Sequence, residues 1–140
     1  MSLVFWDTNL FIYYLEDRGP RADQVERIRE RMIERNDQLV TSCLTLGEVL
    51  VKPQKDQRPD LVATYERVLT ESAWLIPLDR SVATKYATIR HDRRIKAPDA
   101  IQLACAAQAG VDLFITNDDR LSRMVVAGIQ FITSLDRAFL

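Results

Sequence analysis

The sequence predicts an α/β fold: a three-layer α/β/α sandwich with a central parallel sheet. Two observations carry this. Short apolar runs of strand length alternate with longer stretches of helical periodicity along the 140 residues, the order that produces strand–helix–strand units and a parallel sheet. The short runs are also continuously apolar rather than alternating, as strands covered on both faces require.

Leu3-Val4-Phe5-Trp6 is the first such run, with β-branched and aromatic members. Asp7-Thr8-Asn9 ends it, and Phe11, Ile12 and Leu15 then begin a helical spacing. Asp17-Arg18-Gly19-Pro20 marks a turn. Over residues 21–36, Ala22, Val25, Ile28, Met32 and Ile33 share one helical face while Arg and Glu alternate on the other. Those balanced charges suit a solvated surface carrying i,i+4 pairs. Residues 38–42 read as a second strand running into a helix over 44–51, and residues 53–59 as a loop fenced by prolines. Asp60 is placed to cap a helix reaching about Ser72, and residues 74–78 form a third strand that Asp79 ends. Residues 81–90 are helical again, and residues 90–96 are a basic loop. Pro98 opens the next helix and Gly110 closes it, each at its favoured end. Residues 113–116 are a fourth strand, followed by Asn117-Asp118-Asp119, a short helix through Val126 and a last strand at 130–132.

A chain of this length suggests one domain, able to bury a proper core without staples. With 47% hydrophobic and 28% charged residues and a net charge of −1, the molecule as a whole is not an electrostatic nucleic-acid binder, although a local patch is allowed. Cys43 and Cys105 each lie in an apolar run without metal-ligand spacing, so both are expected to be buried free thiols in a reducing compartment. No leader pattern and no run of membrane-spanning length is visible, and the cytoplasm is the expected address. A single histidine, His91, excludes a site built from several imidazoles.

Four acidic residues sit at the edges of apolar elements. Asp7 ends the first strand and Asp118 follows the fourth by two residues, so a parallel sheet projects both from one rim, where ligands of open α/β sheets bind. Asp99 lies in the first turn of the helix opened by Pro98, and Glu48 lies on the helix after the second strand. Each has a local role open to it. Asp7 or Thr8 can cap the following helix, Thr45-x-x-Glu48 forms a capping box, Asp99 complements a helix dipole, and Asp118 or Asp119 caps the short helix after it. Jointly they point elsewhere. Two carboxylates 4 Å apart repel by about 4 kcal/mol at an effective dielectric of 20. Several on one rim therefore need a cation, and oxygen-only ligands without His or Cys suit Mg²⁺ or Mn²⁺.

Asp7-Thr8-Asn9 after the first strand, Glu48 in the early helix, Ile95-Lys96-Ala97-Pro98-Asp99-Ala100 opening a later one, and Leu113-Phe114-Ile115-Thr116-Asn117-Asp118 together resemble a PIN domain along the whole chain. In size and motif order the chain resembles the VapC-type toxins of bacterial toxin–antitoxin pairs. The resemblance implies a Mg²⁺- or Mn²⁺-dependent endoribonuclease. Asp7, Glu48, Asp99 and Asp118 would form its metal-binding active site, with Asn9 and Thr116 as supporting polar residues. Asp118 matches the family spacing better than its neighbour Asp119. The resemblance also implies RNA as substrate, a small antitoxin that offers an Arg or Lys to the acidic pocket, and a homodimer. Arg90, Arg93, Arg94 and Lys96, just before Asp99, are the candidates for contacts to the RNA backbone, or else an ordinary charged loop.

Two other classes compete on the residues alone. A phosphatase of the haloacid dehalogenase type wants a second acid two residues after its nucleophile, where this chain has Asn9. A receiver-like regulatory domain wants a lysine after a late strand, and the four lysines, Lys52, Lys55, Lys85 and Lys96, follow neither of the last two strands. A catalytically inactive PIN-like binding module is the third alternative, against which the four retained acids argue.

Overall fold

A computed structural model describes residues 1–16 and 19–138. The elements in chain order are β1 (Leu3–Trp6), α1 (Thr8–Glu16), α2 (Gly19–Glu34), β2 (Gln38–Ser42), α3 (Cys43–Lys55), α4 (Pro59–Ser72), β3 (Ala73–Ile76), α5 (Arg80–Ile89), α6 (Ala97–Ala109), β4 (Leu113–Thr116), α7 (Asp119–Ser122) and β5 (Phe131–Ser134), with a 3₁₀ turn at Leu135–Arg137. The five strands form one sheet in the order β3-β2-β1-β4-β5, and every neighbouring pair is parallel.

The continuous apolar runs are explained by what covers each face. Side chains alternate across a strand, and along β1 Val4 and Trp6 join the layer formed with α1 to α4, whereas Phe5 joins α5 and α6 on the other side. β2 and β4 divide likewise: Leu39, Leu113 and Ile115 go one way, Val40 and Phe114 the other. Phe5 and Phe114 are register partners, and their rings stack at 4.9 Å. Only the edges leave large apolar groups half open, at Trp74 on β3 and Phe131 on β5.

Several local expectations need correction. Ile33 is 58% exposed rather than on the buried face of α2, because it lies a further 100° round the helix from Met32. The proline-fenced loop is shorter than expected: α3 runs through Pro53 to Lys55. Pro53 sits in the last turn, where its missing N–H costs one bond, and its carbonyl accepts from the Arg58 N–H. Asp60 is not the cap of α4; Arg58 holds that position and Pro59 opens the helix. β3 ends at Ile76 and β5 starts at Phe131. α7 stops at Ser122, and Gly128, at φ +95°, turns the chain against Ala107. Cys105 is buried, and burial pushes its thiol up to about 12, but Cys43 is exposed. Of the expected turn at 17–20, Asp17 and Arg18 lie outside the described residues, while Gly19 and Pro20 open α2.

β1 sits in the middle of the sheet. The chain first builds outward on one side through β2 and β3, then crosses over to add β4 and β5 on the other. The crevice at the carboxyl ends of β1 and β4 is thus the topological switch point, where open parallel sheets bind ligands.

Candidate active site

The pocket begins with the register of β1 on β4. Trp6 is opposite Ile115, and the Asp7 N–H donates to the Ile115 carbonyl at 3.0 Å. Asp7 and Thr116 therefore leave the sheet side by side, and the Thr116 hydroxyl donates to Asp7 Oδ2 at 2.8 Å. Asp7 Oδ1 accepts from the Thr8 backbone N–H at 2.9 Å and from the Gln102 amide at 3.4 Å. Burial of Asp7 raises its pKa; the hydrogen bonds offset this only in part, and the charge of Glu48 adds to the rise.

Glu48 reaches the same place because α3 starts directly off β2. Ser42, in extended conformation, is the N-cap and accepts from the Thr45 N–H at 3.2 Å. The expected Thr45–Glu48 capping box is therefore displaced: Thr45 is already the third residue of the helix. Glu48 is left to face α1, where the Thr8 hydroxyl donates to its Oε1 at 2.6 Å. Asp99 is the third residue of α6, one later than expected, because Ala97 rather than Pro98 opens the helix. Its pKa is raised by partial burial, then by the charges of Asp7 and Asp118, against a weaker pull from Arg120 and Lys96. Asp118 is the N-cap of α7, accepting from the Arg120 N–H at 2.9 Å and from its guanidinium at 3.4 Å. Burial works to raise its pKa, but these Arg120 contacts together outweigh burial and hold it below the usual range.

All four acids line one cavity of about 380 Å³, together with Thr8, Asn9 and Gln102. Asp119 is not among its walls and lies exposed on α7. Of the four basic candidates, Arg94 lines an adjoining cleft that shares Asp99 and Asp118 with this cavity. Arg90, Arg93 and Lys96 line neither, although the charge of Lys96 is felt at Asp99.

Gln102 was not anticipated. Its side chain is 2% exposed, and its Nε2 faces Thr45 Oγ1 at 2.7 Å, Thr8 Oγ1 at 3.0 Å and Asp7. Its Oε1 accepts from the Ser42 hydroxyl. The amide orientation follows from hydrogen accounting. An ionised Asp7 can only accept, and the Ser42 oxygen already accepts from Thr45 while its hydrogen remains to donate. The sequence held a signal for this residue, since Gln102 stands one helical turn from Asp99, between Ile101 and Leu103 and ahead of the apolar run from Leu103 to Ala107.

Among the described residues, no three Asp, Glu, His or Cys side chains converge closely enough to form a ready metal cage. Asp7 and Glu48 are held by hydroxyls and Asp118 by Arg120. The donor set nonetheless fits a hard cation: four carboxylates around one open cavity, with no imidazole or thiol among them.

A family model described as PIN domain matches residues 4–126. The chain belongs to the PIN-domain family. Ribonuclease VapC23 of Mycobacterium tuberculosis is 30% identical to this PIN domain over 124 residues, which cover 86% of the chain and 96% of that protein. Among solved structures, VapBC2 from Rickettsia felis bound to a DNA fragment from its promoter superimposes with a TM-score of 0.74 at 14% identity, over 94% of this chain and 98% of that one. DNA-bound VapBC from Salmonella typhimurium also reaches 0.74, at 22% identity over 96% and 99%. At these identities the structural likenesses speak for the PIN fold itself.

Proposed function

We propose that this PIN domain is a divalent-metal-dependent endoribonuclease and the toxin half of a toxin–antitoxin pair. The reading is carried by one observation: carboxylates from four separated segments, Asp7, Glu48, Asp99 and Asp118, line one cavity at the switch point of a sheet whose family includes a ribonuclease. Asp7, Glu48 and Asp99 would hold Mg²⁺, with Mn²⁺ as the substitute. When bound, the ion supplies a Lewis acid for the scissile phosphate and acidifies a water beside it.

The chain's own residues do the rest. Thr116 and Gln102 fix the rotamer of Asp7, and the Thr8 hydroxyl holds Glu48 toward the cavity. Asn9 lies on the cavity wall, where its amide can meet substrate. Asp118 would help hold a second ion or orient a water beside the phosphate. Burial first, and then the neighbouring carboxylates, raise the pKa of Asp7 and Asp99, and a bound cation would offset both.

An antitoxin would cover the groove between α1, α3 and α4, lined by Ile12, Leu15, Val49, Leu61 and Tyr65, and deliver a basic side chain to Glu48, which borders both cavities. A homodimer is part of the same reading, and so is residence in the cytoplasm; no helix among the described residues is long and apolar enough to cross a membrane.

The test is cleavage of total RNA by the purified chain with Mg²⁺, beside Asp7→Asn, Glu48→Gln and Asp99→Asn. Each variant removes ligand charge with little change of shape, and each is expected to lose cleavage while remaining folded. Near wild-type turnover in any two of them would remove the assignment, and no RNA cleavage by wild type would leave a binding module.

A further inference from the structure

Beside the acidic pocket lies a second cleft of about 590 Å³, within the ~300–1,000 Å³ range of small-molecule sites. The two are continuous, because Asp99 and Asp118 belong to the walls of both. The second cleft differs in chemistry. Arg94 comes from the loop before α6, Arg120 from α7 and Arg123 from the segment just after it, and all three line one hollow beside Asp92, Asp99 and Asp118. Asp92 holds Arg94 in a two-point fork at 3.0 and 2.8 Å, whereas Asp118 touches the Arg120 guanidinium once, at 3.4 Å; the two arginine side chains are 86% and 68% exposed, so both remain open to a ligand from solvent. Arg123 is exposed and has no ion-pair partner among the described residues. Val125, beside it, is 96% exposed. Nothing in the core needs an apolar side chain there.

We propose that this cleft is the subsite for the single-stranded RNA that flanks the bond cut in the acidic pocket. This rests on the ribonuclease reading and deepens it. A strand entering a carboxylate pocket must have its neighbouring phosphates held by positive charge, or the pocket repels it. Arginine's planar fork matches phosphate oxygens two at a time, and a phosphate can share a guanidinium whose outer N–H groups face solvent. Val125 offers an apolar rest for a splayed base or ribose, a contact available only to an unpaired strand. The lining has no aromatic ring, so this subsite grips backbone and stacks little, and its contribution is independent of base sequence.

The experiment uses the full chain carrying Asp7→Asn, so that RNA is bound without being cut, and a fluorescent single-stranded RNA of mixed sequence in Mg²⁺ buffer, read by anisotropy across a salt series. Arg94→Ala, Arg120→Ala and Arg123→Ala combined should weaken binding about tenfold or more. The slope of log Kd against log salt should flatten by about 0.7 for each phosphate that is no longer neutralised. Val125→Asp, at a side chain the fold does not use, should weaken binding severalfold by repelling the strand. Arg27→Ala on α2, which lines a different hollow, should change nothing. Unchanged affinity and slope in the triple variant overturn the proposal, as does a parent protein that does not bind single-stranded RNA. A triple variant that keeps RNA but loses an acidic protein partner overturns it too, and makes the cleft a protein dock. The ribonuclease reading is judged separately, by cleavage with the wild-type chain, so a cutting wild type with an indifferent triple variant removes the subsite alone.

Discussion

Gln102→Glu changes one atom type at the centre of the pocket and turns a donor into an acceptor. The Ser42 hydroxyl still has an oxygen to donate to, but the group 3.4 Å from Asp7 Oδ1 becomes a second carboxylate oxygen. Two full charges at that distance repel by about 5 kcal/mol at an effective dielectric of 20. The protein escapes part of that by keeping the new carboxyl protonated, which restores a donor toward Asp7. Holding a carboxyl of ordinary pKa near 4.3 in its neutral form costs about 3.7 kcal/mol at pH 7 and about 1 kcal/mol at pH 5. Asp7, whose own pKa is already raised, is a second carboxyl the fold can keep neutral, so the destabilisation is at most about 3–4 kcal/mol at pH 7 and about 1 kcal/mol at pH 5. The sign follows because the introduced group has a raised folded-state pKa. Its stability is fully present below the unfolded value and is lost as pH rises through the folded one. At roughly 2–4 °C per kcal/mol the melting point should drop by up to about 7–15 °C at pH 7 and by only a few degrees at pH 5. Thermal melts of wild type and variant by circular dichroism, free of divalent metal, provide the comparison. An equal loss at both pH values, or no loss at pH 7, would mean that Gln102 does not face an ionised Asp7, and the described orientation of its amide would be wrong.

The remaining predictions concern charge, backbone and an unpaired donor. Without metal, Asp7→Asn/Asp99→Asn should melt above wild type at neutral pH, because both carboxyls are raised in the fold. The gap should narrow as pH falls through their folded values, and a double variant that melts lower at every pH would assign both acids to local capping. Mg²⁺ or Mn²⁺ at a hundredfold excess over Kd should add about 2.7 kcal/mol to wild type and nothing to that variant, with Na⁺ at matched ionic strength as the control. Gly128→Ala should cost about 1–3 kcal/mol, since φ is +95° and a Cβ would meet the Ala107 carbonyl at 3.0 Å; a urea midpoint within error of wild type would contradict this backbone. Trp6→Phe should be milder than a large core truncation. The lost volume is offset by removing a fully buried indole N–H that has no hydrogen-bond partner, and a loss above about 3 kcal/mol would show that the N–H is satisfied after all.

The sheet and three of the four acid positions were legible for physical reasons. Val4 to Trp6 and Leu113 to Ile115 are covered on both faces, so their apolar runs are unbroken, and an acid just after such a run lands on one rim. Asp99 was legible because Pro98 marks the first turn of a helix. Glu48 joined the set through its place on the helix after β2 and the family resemblance, and the local role weighed against that, a capping box, is not formed. Its capping-box pattern is overridden because Ser42 ends β2 in extended conformation and caps α3 three residues earlier. Pro53 misled because a proline is tolerated in a helix's last turn, where few hydrogen bonds remain to be broken. Gln102 and the Arg120–Arg123 side of the adjoining cleft were missed for one reason: each acquires its role from residues distant in sequence. Gln102 meets Ser42, Thr45 and Asp7, and Arg123 shares with Arg94 the lining of a hollow that exists only once α6 and α7 are in place.

The central position of β1 sets a schedule for the chain. Asp7 is made well before the groups that hold it: its hydroxyl partner Thr116 lies 109 residues downstream and Gln102 lies 95 downstream. At ~5–20 residues per second, that leaves roughly 5–20 s of synthesis in which Asp7 is present without the strand that holds it. A nascent or truncated chain that stops before β4 can have Asp7, Glu48 and Asp99 and still lack one entire wall of the pocket. The long-range pairing of β1 with β4 is also the slow kind of contact to form. Competence therefore comes late and all at once, so a partner made alongside this chain has a head start on any chemistry the finished pocket performs.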